Sequence, residues 1–174
     1  MSSSEKKTGS AKKNLFKVGG HVVYPLQGVG LIKDIQSKPF KGEEVLYYII
    51  YLDVTDMTVM IPVDKAEQLG IRAIVKPKEA KAALDSISGA YEPVSIDWKM
   101  RYQMNLDLLK EGTVSSIASV VQALYHRSKV KELPVQERKL YDSALKILTA
   151  EISFSLDKPM GDVEQMIFER LEQE

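Results

Sequence analysis

The chain has no cysteine and only two histidines. Without thiols there is no disulfide, no thiolate nucleophile and no cysteine-based metal site. His21 and His126 fall in different halves of the sequence, too far apart to be read as a metal pair. No nucleophile elbow surrounds a serine, and no G-x-x-x-x-G-K-[ST] phosphate loop occurs. An enzyme is therefore not expected, and neither a metal nor a cofactor is implied. No run approaches the roughly 18 to 20 apolar residues of a membrane span. Met1–Asn14 has no apolar stretch, so it does not read as a secretory signal. A cytoplasmic protein is the expectation. The chain also lacks net charge, with 24 lysines and arginines against 24 aspartates and glutamates. That excludes a bulk nucleic-acid binder, and any DNA contact must be local.

What is present is unevenly placed. Residues 1–17 carry a net charge of +4, residues 95–146 a net of +3 and residues 147–174 a net of −5. Hydrophobic residues make up 44% of the 174, enough for a packed core in one medium domain or two small ones. Residues 1–14 have the composition of a disordered basic arm. Within a β domain over residues 15–72, residues 15–63 read as strands, over Lys17–Tyr24, Gly28–Ile35, Val45–Leu52 and Thr58–Val63. Turn signals separate them at Pro25, at Pro39-Phe40-Lys41-Gly42 and at Asp53 to Asp56. The run Val45–Leu52 is apolar at nearly every position, which suits a strand covered on both faces or one that presents a face to a partner.

From Asp64 onward the period is helical, with Asp64–Leu69 a short turn closed by Gly70. Lys78–Ile87 is a modest helix, and Asp97 can cap a longer one that runs to Glu111 and stops at Gly112. Thr113 can cap the next, with Val114, Ile117, Val121, Leu124 and Tyr125 on one face. Pro134 suits the first turn of a long helix carrying Leu140, Tyr141, Ala144, Leu145, Leu148 and Ile152. Pro159-Met160-Gly161 breaks it before a last helix anchored by Val163, Ile167 and Leu171. The fold class is α+β, a small N-terminal β barrel followed by an all-helical C-terminal domain over residues 73–174.

Two groups of residues suggest binding. Pro62 within a strand implies an edge position, because it has no ladder donor. Beside it Met60 supplies an adaptable apolar surface, and such an edge suits extension by a partner strand. Trp98, the lone tryptophan, shares a helical stripe with Tyr102, Leu106 and Leu109, which reads as a core face. It also sits in a first turn, flanked by Lys99 and Arg101, where a large ring can project past the helix end. Residues alone leave both readings open. Arg127, Lys129, Lys131, Arg138, Lys139 and Lys146 read most simply as solvated helix faces.

Phe16-Lys17-Val18-Gly19-Gly20-His21-Val22-Val23-Tyr24-Pro25-Leu26-Gln27-Gly28-Val29-Gly30-Leu31-Ile32, then Thr58–Val63, then Asp97-Trp98-Lys99-Met100-Arg101-Tyr102 together resemble the CarD/CdnL family of bacterial RNA-polymerase-binding transcription regulators. The first run is similar to the polymerase-interacting module that the family shares with the transcription-repair coupling translocase. The resemblance implies a Tudor-like barrel that docks on the RNA polymerase β subunit, with Lys38, Phe40, Met60 and Pro62 at or near the contact. It implies that Trp98 wedges into the minor groove of promoter DNA at the upstream edge of the bubble, with Lys99, Arg101, Arg138 and Lys139 as phosphate partners. Met100 and Gln103 stand where relatives often carry further basic residues. Pro134-Val135-Gln136-Glu137 keeps the glutamate of the Ser-x-x-Glu with which relatives often open the long helix, and loses the serine. The expected protein is a monomer that stabilises the open promoter complex. The rival is a polymerase-bound adaptor with Trp98 buried. A third class, an RNA-binding barrel, is disfavoured by the net charge of −1 over residues 18–76.

Overall fold

The computed structural model describes residues 16–173; the arm expected over residues 1–14 lies outside them. The first half is a five-stranded antiparallel sheet, made of β1 (His21–Tyr24), β2 (Gly28–Phe40), β3 (Glu43–Leu52), β4 (Met57–Pro62) and β5 (Arg72–Ala73). The strand order is β4-β3-β2-β1-β5. A short helix, α1 (Val63–Ala66), follows β4. Alternation decides the inner face. Val22, Ile32, Tyr48, Ile50, Leu52 and Ile61 point inward and bury with Ala66 and Ile71. Gly30 is required there, because a Cβ would lie 2.6 Å from Cγ2 of Ile50 across the strand pair.

The sheet departs from the sequence expectation at three places. β1 begins at His21 rather than Lys17. Lys17 to Gly20 make a turn instead, with the Gly20 amide donating to the Lys17 carbonyl at 3.0 Å and Gly19 at φ 84°. β2 runs on through Pro39 to Phe40, and the hairpin closes on Lys41 and Gly42 alone, both at positive φ (48° and 81°). Two-residue hairpins favour that conformation because its twist matches the strands. Next to the closing pair Phe40–Glu43, the Pro39 nitrogen faces away from β3, and β1 does not extend that far, so no ladder bond is lost. The third is β5, two residues with no periodicity to announce them, straddling the 72/73 boundary expected between the lobes.

The second half is helical: α2 (Pro77–Ser86), α3 (Trp98–Glu111), α4 (Val114–Val130), α5 (Val135–Leu156) and α6 (Met160–Leu171). The helices start and stop where their end residues dictate. Gly112 takes the left-handed conformation, φ 76°, that closes α3. The Thr113 side chain accepts a hydrogen bond from the Ser116 amide and caps α4. Pro134 and Pro159 stand at the N-caps of α5 and α6. Leu109, Ile117, Val121, Leu124, Leu140, Leu148, Ile152, Val163, Ile167 and Leu171 form one apolar core. α5 runs through the middle and packs on α2, α3, α4, α6 and also on β2, so it belongs to both lobes. Among the described residues no helix is long and apolar enough to cross a membrane.

Candidate functional site

Strand register decides what the outer face of the sheet carries. Across β2 and β3, Asp34 pairs with Ile49, Gln36 with Tyr47, Lys38 with Val45 and Phe40 with Glu43, and on the other side of β3 Ile49 pairs with Met60 and Tyr47 with Pro62. Side chains alternate faces along a strand, so Lys38, Phe40, Met60 and Pro62 all lie on one face, together with Tyr47 and Ile49. Tyr48, Ile50 and Leu52 take the opposite, buried face. β4 is an edge strand, as Pro62 implied. Phe40 is 55% exposed and Met60 is 44% exposed, so apolar side chains stand beside an unpaired backbone edge. The Lys41 ammonium lies 5.4 Å from the Phe40 ring centre and leaves the ring accessible. Sequence reasoning did not assign Tyr47 and Ile49 to this surface. Their alternation with Tyr48 and Ile50 carries the signal once the register is known.

The second surface begins at α3. Trp98 is its first residue and is half-buried. Asp97 holds the cap position without a side-chain hydrogen bond. The stripe anticipated from spacing enters the helical core only from Tyr102 onward, with Leu106 beside it and Leu109 buried. The Lys99 ammonium lies 5.9 Å from the Trp98 ring centre, so charge and aromatic surface travel together.

Arg101, expected as a phosphate partner, is turned inward. It is 9% exposed, and its guanidinium grips the carboxylate of Glu137 with two bonds, Nε to Oε1 at 2.6 Å and Nη2 to Oε2 at 2.7 Å. Nη1 donates to the carbonyl of Ile96 at 3.3 Å. All three nitrogens are engaged inside the protein. The reason is the helical phase: Arg101, Asn105 and Leu109 recur every four residues and share the buried face of α3. Glu137, wholly buried, has also found a role that the missing serine obscured. In place of a capping box, it ties the first turn of α5 to the first turn of α3.

That tie has an electrostatic consequence. Arg138 and Lys139 follow Glu137 directly, and both are exposed. The tie brings the first turns of α3 and α5, each the positive end of a helix dipole, close together. Arg138 is partly engaged, 3.7 Å from Oδ1 of Asp142 and 5.8 Å from the Tyr141 ring centre. Burial pushes the Tyr141 hydroxyl up to about 12, a shift that the nearby Arg138 charge opposes. The remaining bases do not join a single patch. Lys129 covers the Tyr125 ring at 5.0 Å, and Lys146 stands with His21, Tyr51 and Phe154 around a cleft between the lobes.

Both histidines are packed rather than poised. The His21 ring lies 4.1 Å from that of Phe154. The His126 ring stacks on Tyr91 at 5.1 Å and meets Tyr125 edge-on at 5.2 Å, with its Nε2 buried and unpartnered. Burial lowers its basicity. Among the described residues no cluster of histidine, aspartate and glutamate is arranged to hold a metal ion.

Two family models match this chain. The family described as the CarD-like/TRCF RID domain matches residues 16–75, and the CarD C-terminal domain matches residues 82–168. The chain is 33% identical over 138 residues to YdeB of Bacillus subtilis (strain 168), provisionally named a transcription factor. That match covers 79% of this chain and 90% of the relative.

Proposed function

The chain belongs to the CarD family of transcription regulators, and from that premise we propose that it binds the RNA polymerase β subunit and stabilises the open promoter complex. The sheet docks through Lys38, Phe40, Met60 and Pro62. Trp98 wedges into the minor groove at the upstream edge of the bubble, with Lys99, Arg138 and Lys139 toward the phosphates. One observation carries the docking half: strand register puts all four sheet residues on a single accessible face beside an edge strand. Exposed edges with apolar side chains are what β-augmentation uses. For the DNA half the support is a half-buried tryptophan at a helix start, next to a lysine. Apolar wedges at opened base steps are the general device of minor-groove binders. The action needs no cofactor, and the protein works in the cytoplasm as a monomer bound to polymerase.

The adaptor alternative requires Trp98 in the core, and its place outside the helical core cluster weighs against it. The deciding experiment is co-purification with core polymerase, followed by open-complex lifetimes with and without the protein. Binding with a longer lifetime supports the proposal. Binding with no change in lifetime favours the adaptor, and no binding refutes both.

A further inference from the structure

The two lobes meet along one seam. Val23 and Val29 of the sheet pack with Ala150 of α5, and Ile74 closes the contact. Within this seam lies Glu151, wholly buried. A carboxylate removed from water needs a charge partner and satisfied oxygens, and both come from the segment that joins the lobes. Arg72 of β5 donates from Nη1 to Oε1 at 2.5 Å and from Nη2 to Oε2 at 2.9 Å. The Val75 amide adds a third bond to Oε1 at 3.2 Å. The same guanidinium reaches a third element: its Nε donates to the carbonyl of Gly112 at 2.9 Å. That carbonyl lies at the C-terminus of α3, the negative end of the helix dipole, where a cation is favoured. Nearby, the Ser155 hydroxyl donates to the Val75 carbonyl at 2.6 Å.

Gly112 is also where the sheet touches α3. At φ 76° it already disfavours a side chain, and a Cβ there would lie 2.9 Å from the Pro25 ring in the β1–β2 turn. β5, the β1–β2 turn, the end of α3 and the middle of α5 therefore converge at one point. Trp98 stands at the far end of the same α3. Fourteen residues of helix make a lever of about 21 Å at 1.5 Å per residue. A rotation of about 10° at the seam moves the tryptophan end by roughly 3.6 Å, close to the ~3.4 Å rise of one base step.

We infer that the Arg72–Glu151 pair is a joint that locks the helical lobe to the sheet lobe at one angle, and that it positions Trp98 on DNA when the sheet is held by polymerase. The inference rests on the proposed function for its second half only. Arg72 and Glu151 act as positioning residues, touching neither DNA nor polymerase.

The absence of cysteine makes the test direct. Cysteines placed at Gln68 and Gln136, both exposed, carry spin labels on opposite lobes, and pulsed dipolar spectroscopy reads their distance distribution. In Glu151→Gln the distribution should broaden relative to the parent. Binding to the β lobe should stay within about twofold, and open-complex lifetime should fall at least fivefold, the lower end of typical coupling between sites. Arg72→Lys keeps the charge but loses the two-pronged grip, so it should give a smaller change in the same direction. It carries the test if Glu151→Gln does not fold. An unchanged distance distribution in a folded variant overturns the joint. Trp98→Ala, run alongside, separates the two halves. If it shortens the lifetime while a broadened Glu151→Gln does not, the positioning role is overturned. If Trp98→Ala leaves the lifetime unchanged, the proposed function fails while the distances still judge the joint.

Discussion

Replacing Arg101 with alanine should damage the fold before it damages DNA contact. The substitution leaves the Glu137 carboxylate, which has no exposure, without its two charged hydrogen bonds. Breaking a buried pair by removing one partner typically costs about 3 to 5 kcal/mol. For a chain of this size each kcal/mol lowers the melting temperature by about 2 to 4 °C, so Arg101→Ala should melt roughly 6 to 20 °C below the parent. The double variant Arg101→Met with Glu137→Leu removes both charges and leaves apolar volume. It should recover most of the loss, because well-packed apolar replacements of buried pairs are often neutral or better. Thermal melts by circular dichroism read the stability half. The salt dependence of open-complex lifetime reads the other half, since each phosphate contact contributes about 0.9 to the slope of log affinity against log salt. The reasoning is refuted if Arg101→Ala melts within about 2 °C of the parent and lowers that slope by about one. In that case the guanidinium leaves Glu137 to hold a phosphate.

Trp98→Ala should speed open-complex collapse by roughly five- to a hundredfold, because a ring stacked on an unpaired base is worth about 1 to 3 kcal/mol. Its melting temperature should hold, and a large drop would return Trp98 to the core. Met60→Arg with Pro62→Ala should weaken capture by the β lobe by about thirtyfold or more, the effect of losing a hot spot. Unchanged capture by a folded double variant would place the docking surface elsewhere. His126 gives the fold a pH dependence. Burial between Tyr91 and Tyr125, with Lys129 and Glu172 alongside, lowers its basicity, so the unfolded chain takes up a proton before the folded one does. The stability is complete above the unfolded value of about 6.5 and is lost as pH falls through the folded value. His126→Phe should flatten the decline in urea midpoint between about pH 7.5 and 5.5, and an equal decline in both proteins would clear His126 of the effect.

Helix ends were legible in the sequence because their signals are local. Gly112, Thr113 and Pro159 act within one turn, and α3 spans the residues that spacing indicated. Strands were less legible because their limits depend on neighbours. Pro39 reads as a breaker, yet it is tolerated where β2 has lost β1 as a partner. β5 exists only because β1 is there to pair with it. The candidate surfaces divide in the same way. Met60 and Pro62 follow from the strand edge and Lys38 and Phe40 only from the resemblance, and only register shows that the four share a face. The inward partner of Arg101 was not legible, because the motif around Trp98 shows a base beside an aromatic ring and nothing of Glu137, 36 residues away. Arg72 and Glu151, 79 residues apart, had no local signal at all.

Two internal ion pairs bear on how a chain without net charge would act on DNA under the proposed function. With Arg101 turned inward, the expected phosphate partners reduce to Lys99, Arg138 and Lys139, and Arg138 is shared with Asp142. Three contacts predict a salt slope near −2.7, small for a protein that must find DNA unaided. Tethering to polymerase changes the arithmetic, because a second site on the same body acts at an effective concentration in the millimolar range when geometry permits. Geometry is what the pairs supply. Arg72–Glu151 sets the angle between lobes, and Arg101–Glu137 sets the first turns of α3 and α5 against each other. A flexible hinge would spread Trp98 over many positions and dilute the tether's benefit. Under the proposed function, Arg72 and Arg101 serve inside the protein, where their ion pairs orient the helix that carries Trp98.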